Sequence, residues 1–332
     1  METHPRDRSL FFPILLIGAG LIWLLANFNI IPDLNWAMLW RLWPLALIAG
    51  GLDMLFGRNH PLVGALIGLL AVGAAVALLV AGPRLGIVPA APQVSTERYT
   101  EPLGDAGSAE ITLDLAEYPT TISALEDSSE LVDADITHAG RLTFSATGGA
   151  NRQVRLNYNS GLNFFMPEFT APDAEWRIGL SPRVPLLLNV DVGSGAATLD
   201  LAGLELSGLN LDGGSGALDI TLPASDEFYE AQLDGGSGAQ TLAVPVDAAG
   251  SLNYDGGSGS LRVTIADTAA VRVEVQDSGS GSVRVPSEWV EVELGDDDEG
   301  VWESATFLDS EDRQFVLIIE EVGSGTIVIV NE

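Results

Sequence analysis

The sequence predicts a chain of two unlike parts: N-terminal transmembrane α-helices, then an all-β repeat domain best read as a β-solenoid, with an antiparallel β-sandwich or meander as the alternative. Three observations predict this. The 332 residues combine a net charge of −31 with 47% hydrophobic content, and the charge is divided unevenly. Residues 1–92 hold five arginines and four acids, net +1, whereas residues 93–332 hold ten arginines and 42 acids, net −32. Second, Leu10 to Ile31 is a 22-residue stretch without a charge. Third, an acid, any residue and Gly-Ser-Gly recur at Asp191, Asp212, Asp234, Asp255, Asp277 and Glu321, at intervals of 21, 22, 21, 22 and 44. A fixed period of this length signals a repeat architecture.

Taken in order, residues 1–9 form a short N-terminus carrying Arg6 and Arg8. The uncharged run 10–31 makes roughly 33 Å of helix at 1.5 Å per residue, enough to cross a bilayer. Further apolar segments follow it and no small-residue cleavage pattern ends it, so it reads as a retained span rather than a signal peptide. A second span, 36–56, has Arg41 and Asp53 near its two ends, within snorkelling reach of water. The third, 62–81, is uncharged, and its Gly64-x-x-x-Gly68 and Gly73-x-x-x-Ala77-x-x-x-Ala81 stripes permit close helix approach. Packing within the chain is the first reading of those stripes, and a homo-oligomeric seam the second. Arg6, Arg8 and Arg58 on one side against Arg41 and Arg84 on the other place the N-terminus in the cytoplasm and the β-domain outside. Trp36, Trp40 and Trp43 would then lie near the outer interface.

Residues 82–96 read as a linker, rich in proline and glycine without periodicity. Residues 97–186 alternate less regularly and suit a divergent start or cap to the repeats. From 187 to 332 the alternation is clear: Leu188/Val190, Leu209/Leu211 and Leu252/Tyr254 face one way, Asn189/Asp191, Asn210/Asp212 and Asn253/Asp255 the other. A second alternating run follows each Gly-Ser-Gly, such as Leu218, Ile220, Leu222. Each repeat is therefore two short strands joined by a glycine turn, with the other corner near Gly203, Pro223-Ala224-Ser225, Ala248-Ala249-Gly250 and Asp267. The interval of 44 equals two periods, so a degenerate copy is expected at Glu299-Gly300-Val301, and the Asp296-Asp297-Asp298-Glu299 run is expected to be a solvated loop.

The first part resembles the transmembrane region of the LiaI and LiaF families of bacterial envelope-stress proteins, through Gly18 and Gly20, Trp23-Leu24-Leu25, Trp43-Pro44 and Gly50-Gly51. Residues 97–332 resemble the toast-rack and related adhesin-type β-repeats that carry similar Gly-Ser-Gly turns. The spans and the arginine distribution predict a multi-pass cell-membrane protein with an extracytoplasmic domain, and the resemblances imply a cell-envelope protein, an accessory or regulator of the envelope-stress response acting through other membrane or signalling proteins. The alternative is a surface scaffold that binds envelope polymer or associates with itself.

Little in the residues points to chemistry. No cysteine is present, which removes disulfides, thiolate zinc sites and thiol nucleophiles, and there are three histidines, His4, His60 and His138. A surface this acidic repels phosphate backbones, so nucleic acid is not an expected partner. No cofactor and no enzymatic activity are expected. His138 reads as a strand-edge or loop surface residue. The column of Asp191, Asp212, Asp234 and Asp255 could hold a hard cation such as Ca²⁺ between rungs. The plainer reading is that Asp opens each turn by accepting a hydrogen bond from the backbone two residues on.

Overall fold

The computed structural model describes residues 10–28, 42–57, 61–81, 95–115, 117–126, 129–138, 141–159, 174–225, 227–295, 298–310 and 313–332. They fall into two compact units, one holding the described residues up to 81 and the other those from 95 onward.

In the first unit, helix α1 (Phe11–Asn27), helix α2 (Trp43–Leu52), which runs into a π-helical turn Asp53–Gly57, and helix α3 (Pro61–Ala81) are apolar on every side. Phe12, Leu16, Ile17 and Trp23 of α1, Leu47 and Ile48 of α2, and Leu66, Leu69 and Leu70 of α3 are exposed. Helices that are apolar all round belong against other protein or lipid. Small residues set the α1–α3 contact: a Cβ at Gly18 would fall 2.3 Å from Val72, and one at Gly68 3.2 Å from Ile14. Gly68 therefore packs within the chain, while Gly73 faces open space. Over the described residues, no helix is long and apolar enough to cross a membrane. Helix α1 has 17 residues and α2 ten, shorter than the expected spans 10–31 and 36–56. The 21 residues of α3 include 61 and 79–81, whose side chains are not described. Trp36, Trp40 and Arg41 lie outside the described residues.

The second unit is a stack of two-strand rungs. In chain order the rungs are β2 (Ser108–Asp114) with β3 (Thr120–Ala124), β6 (Asn151–Asn159) with β7 (Trp176–Leu180), β8 (Leu186–Asp191) with β9 (Ala197–Asp200), and β10 (Leu206–Asp212) with β11 (Leu218–Thr221). There follow β12 (Tyr229–Asp234) with β13 (Ala239–Val244), β14 (Gly250–Asp255) with β15 (Ser260–Ile265), β16 (Val271–Val275) with β17 (Ser282–Arg284), and β20 (Phe315–Glu321) with β21 (Thr326–Asn331). The remaining strands are β1 (Ser95–Pro102), β4 (Glu130–His138), β5 (Arg141–Gly148), β18 (Val290–Leu294) and β19 (Gly300–Glu303). The first strand of each rung lies in one sheet, ordered β18-β19-β16-β20-β14-β12-β10-β8-β2-β6-β5. The second strand lies in the other sheet, ordered β1-β4-β7-β3-β9-β11-β13-β15-β21-β17.

Rung pairs with rung in parallel and in register, Leu188 on Leu209 and Leu209 on Ala231, while Leu199, Ile220 and Leu242 align in the other sheet. These columns are buried and form one continuous hydrophobic cluster between the sheets. The parallel stack answers to the solenoid and not to the antiparallel meander. Antiparallel strands occur at its ends, β1 on β4 and β5 on β6 at one end, β18 on β19 and β19 on β16 at the other.

Two expectations are corrected. Residues 187–332 are not a simple continuation, because β20 pairs with β14 on one side and β16 on the other, and β21 with β15 and β17. The last rung of the sequence thus sits one place in from the end of the stack. Glu299-Gly300-Val301 is accordingly no rung: Gly295 N–H donates to Glu299 O at 3.2 Å, closing an antiparallel hairpin. The first rung behaves likewise, β2 lying between β6 and β8, and β3 between β7 and β9.

At the glycine corner the rungs approach most closely. Ser215 N–H donates to Gly193 O and Ser237 N–H to Gly214 O, both at 2.8 Å. A Cβ at Gly214, which has φ of 51°, would fall 1.8 Å from Gly193 O. One at Gly236 would fall 1.5 Å from Gly214 O. The obstacle is backbone and cannot swing away. Gly236→Ala should cost about 3 kcal/mol or more, read as a large fall in the thermal midpoint of the β-domain. Gly149→Ala, where nothing lies within 4 Å, should stay within about 0.5 kcal/mol of the parent.

Candidate functional site

Strand alternation places every second side chain of the β8, β10, β12 and β14 sheet on the outer surface. In-register pairing then turns each outward position into a row. One row runs Thr112, Asn189, Asn210, Gln232, Asn253. Beside it runs an acid row, Asp114, Asp191, Asp212, Asp234, Asp255, Glu321. Asp277 follows Glu321 in space, since Asp277 O accepts from Val322 N–H at 3.0 Å. The rows from Asp114 to Asp234 line an open groove of about 430 Å³ with no arginine on its walls.

Within the groove Asn210 Nδ2 donates to Asn189 Oδ1 at 2.7 Å, and Gln232 Nε2 donates to Asp234 Oδ1 at 3.2 Å. Three acids bind their own turns: Asp191 Oδ1 accepts from Gly193 N–H at 3.1 Å, Asp212 Oδ1 from Gly214 N–H at 3.4 Å, and Asp277 Oδ1 from Gly279 N–H at 2.7 Å. These are Asx turns, which orient the carboxylate along the corner. Behind the corner, burial first and Asp255 second push the Tyr254 phenol up to about 12. Its hydroxyl would lie 2.5 Å from a Cβ at Gly235.

The structure brings Asp191, Asp212, Asp234 and Asp255 together in one column, as the spacing predicts. It adds Asp114, which lies outside the motif because Ala116-Glu117-Tyr118 stands where Gly-Ser-Gly would. The signal that could find it is the Ile111/Leu113 alternation before it. Among the described residues no group of three or more His, Asp or Glu side chains could hold a metal ion. His138 is placed differently from expectation: it is 3% exposed, at the end of β4. Its Nε2 lies 3.9 Å from Glu97 Oε1, and its ring centroid lies 6.4 Å from that of Tyr158. The β1–β4 pairing and the Tyr158 ring cover it, which a sequence position cannot reveal. Chemically, the groove offers carboxylate acceptors flanked by amides that both donate and accept, a surface for contact.

Asp212→Asn with Asp234→Asn keeps an acceptor oxygen for Gly214 N–H and for Gln232 Nε2 and removes repulsion between rungs. The thermal midpoint should stay or rise, and millimolar Ca²⁺ should move it little, because a ligand stabilises as RT ln(1 + [L]/Kd). A calcium-dependent rise of about 10 °C that these substitutions abolish would make the column an ion site.

Comparison with known proteins gives two family matches. Residues 93–243 match the N-terminal domain of toast_rack, DUF2154, and residues 10–55 match the LiaI-LiaF-like transmembrane region. No curated protein sequence matches the chain. Among solved structures, a candidate cell adhesion protein from Clostridium sporogenes is 17% identical with a TM-score of 0.48, over 72% of this chain and 100% of that one. A candidate adhesin from Bacteroides fragilis is 13% identical, TM-score 0.30, over 72% and 97%. One from Parabacteroides distasonis is 9% identical, TM-score 0.27, over 72% and 97%. In chain order, the matches are a LiaI-LiaF-like transmembrane region, which implies a membrane protein, and then the N-terminal domain of toast_rack.

Proposed function

We propose that this protein spans the cell membrane more than once, with its N-terminus in the cytoplasm and its β-domain outside, and serves as an accessory or regulator of the envelope-stress response. It acts by contact with other proteins and not by catalysis. The observation that carries this reading is the order of the two matched regions in one chain. The arginine distribution supports the orientation, and the outward-facing helices support a lipid surround. The groove supports the mode of action, since its rows of amides and acids form an extended contact surface. The same rows also favour a second reading, a scaffold on which hydroxyl-rich or cationic envelope polymer lies.

Protease added to intact cells should digest residues 97–332, and digestion only after lysis would reverse the orientation. Deleting the chain should change the output of an envelope-stress transcriptional reporter under cell-wall antibiotic. An unchanged reporter, together with co-sedimentation of the protein with purified cell-wall polymer, would favour the scaffold.

A further inference from the structure

Among the described residues, the sheet that bears the acid row ends in two edges of opposite character: strand β5 pairs only with β6, and β18 only with β19. After Arg141 the rest of β5, Leu-Thr-Phe-Ser-Ala-Thr-Gly, has neither charge nor proline. Folded domains usually blunt such edges with charge, proline or shortness. The other sheet does so at both ends: β17 has three residues and is soon followed by Pro286, and β1 carries Glu97, Arg98, Glu101 and Pro102. The unblunted edge β5 therefore stands out.

Charge opposes the two ends. The β5–β6 hairpin, 141–159, contains three arginines and no acid, and the β18–β19 hairpin, 290–303, contains seven acids and no cation. Arg152 already pairs with Glu101 at 3.4 Å and Glu303 with Arg272 at 3.3 Å. The opposition thus rests on Arg141 and Arg155 against the remaining six acids. On β18, Val290 is 55% and Val292 46% exposed, apolar surface that an added strand would cover.

Strand directions also agree. The stack strands of this sheet are parallel, β5 is antiparallel to β6, and two antiparallel steps through β19 return β18 to the stack direction. In two copies stacked head to tail without rotation, β18 of one therefore meets β5 of the next antiparallel, the more stable ladder. We propose that copies of this chain join head to tail, β18 of one adding to β5 of the next, so that the sheet continues from molecule to molecule. Such a contact is heterologous and can extend beyond a dimer.

The absence of cysteine makes the test direct. Full-length Thr143→Cys and Val292→Cys variants, in detergent or nanodiscs, are oxidised singly, mixed, or combined in one chain. The mixture should give a disulfide dimer, each variant alone should not, and the double variant should give a ladder of higher oligomers. Salt at 1 M, where screening acts within about 3 Å, and the reversal Glu291→Arg with Glu293→Arg should each cut the yield about tenfold. Adding Arg141→Glu and Arg155→Glu to the other partner should restore it. Equal dimers from either single variant would mean a two-fold contact and would overturn the proposal. So would a double variant that stays monomeric, or a yield indifferent to charge reversal in a variant whose melting is unchanged.

Discussion

The β-domain depends on the approach of one peptide turn to the next at the glycine corner. Strands in a ladder lie about 4.8 Å apart, and a two-sheet stack keeps that spacing only if its corners stack as closely as its strands. Here the corner does so by placing backbone on backbone, Gly236 over Gly214 and Gly214 over Gly193. No side chain fits between them. From this follow the fixed period, the in-register apolar columns and the alignment of every residue at a given place in the repeat. From Asp191 onward the acid row is a consequence: the residue that opens each Gly-Ser-Gly turn is repeated because the turn is repeated.

That row carries an electrostatic cost that exposure keeps small. Two charges about 4.8 Å apart repel by about 0.9 kcal/mol in water and by far more in an apolar interior. The carboxylates stand on the outer surface, and Asp191, Asp212 and Asp277 are further held by turn amides. The interior contains no such row, its columns being Leu, Ile and Val with a few aromatic and small residues. The polar rows can therefore serve as a contact surface without weakening the core.

The ends of the stack show how a repeat chain avoids fraying. A terminal rung has a partner on one side only, and chain termini are the least tied segments. Both the first rung and the last are instead enclosed, with strands on each side. At the C-terminal end the choice follows composition: β20 and β21, Phe-Val-Leu-Ile-Ile and Thr-Ile-Val-Ile-Val, can satisfy two neighbours. The three-residue β17, with Pro286 close behind, suits an edge.

The sequence by itself determined the division into an apolar helical part and an acidic repeat part, the two-strand rung and the side of each strand that is buried. These are local matters: period two is read from Leu188 to Tyr254, and a Gly-Ser-Gly turn needs its glycines wherever the rung lies. Asp191, Asp212, Asp234 and Asp255 were legible as one column for the same reason. Only the tertiary structure decided which rung neighbours which. An interval of 44 residues fits both a degenerate copy in sequence order and a hairpin detour with a returning strand, because spacing along the chain does not encode order across it. It also decided that Asp114 joins the acid row and that His138 is buried. Both depend on strands brought alongside from elsewhere in the chain, and pairing between distant strands is selected by the burial of the whole stack rather than by the residues beside them.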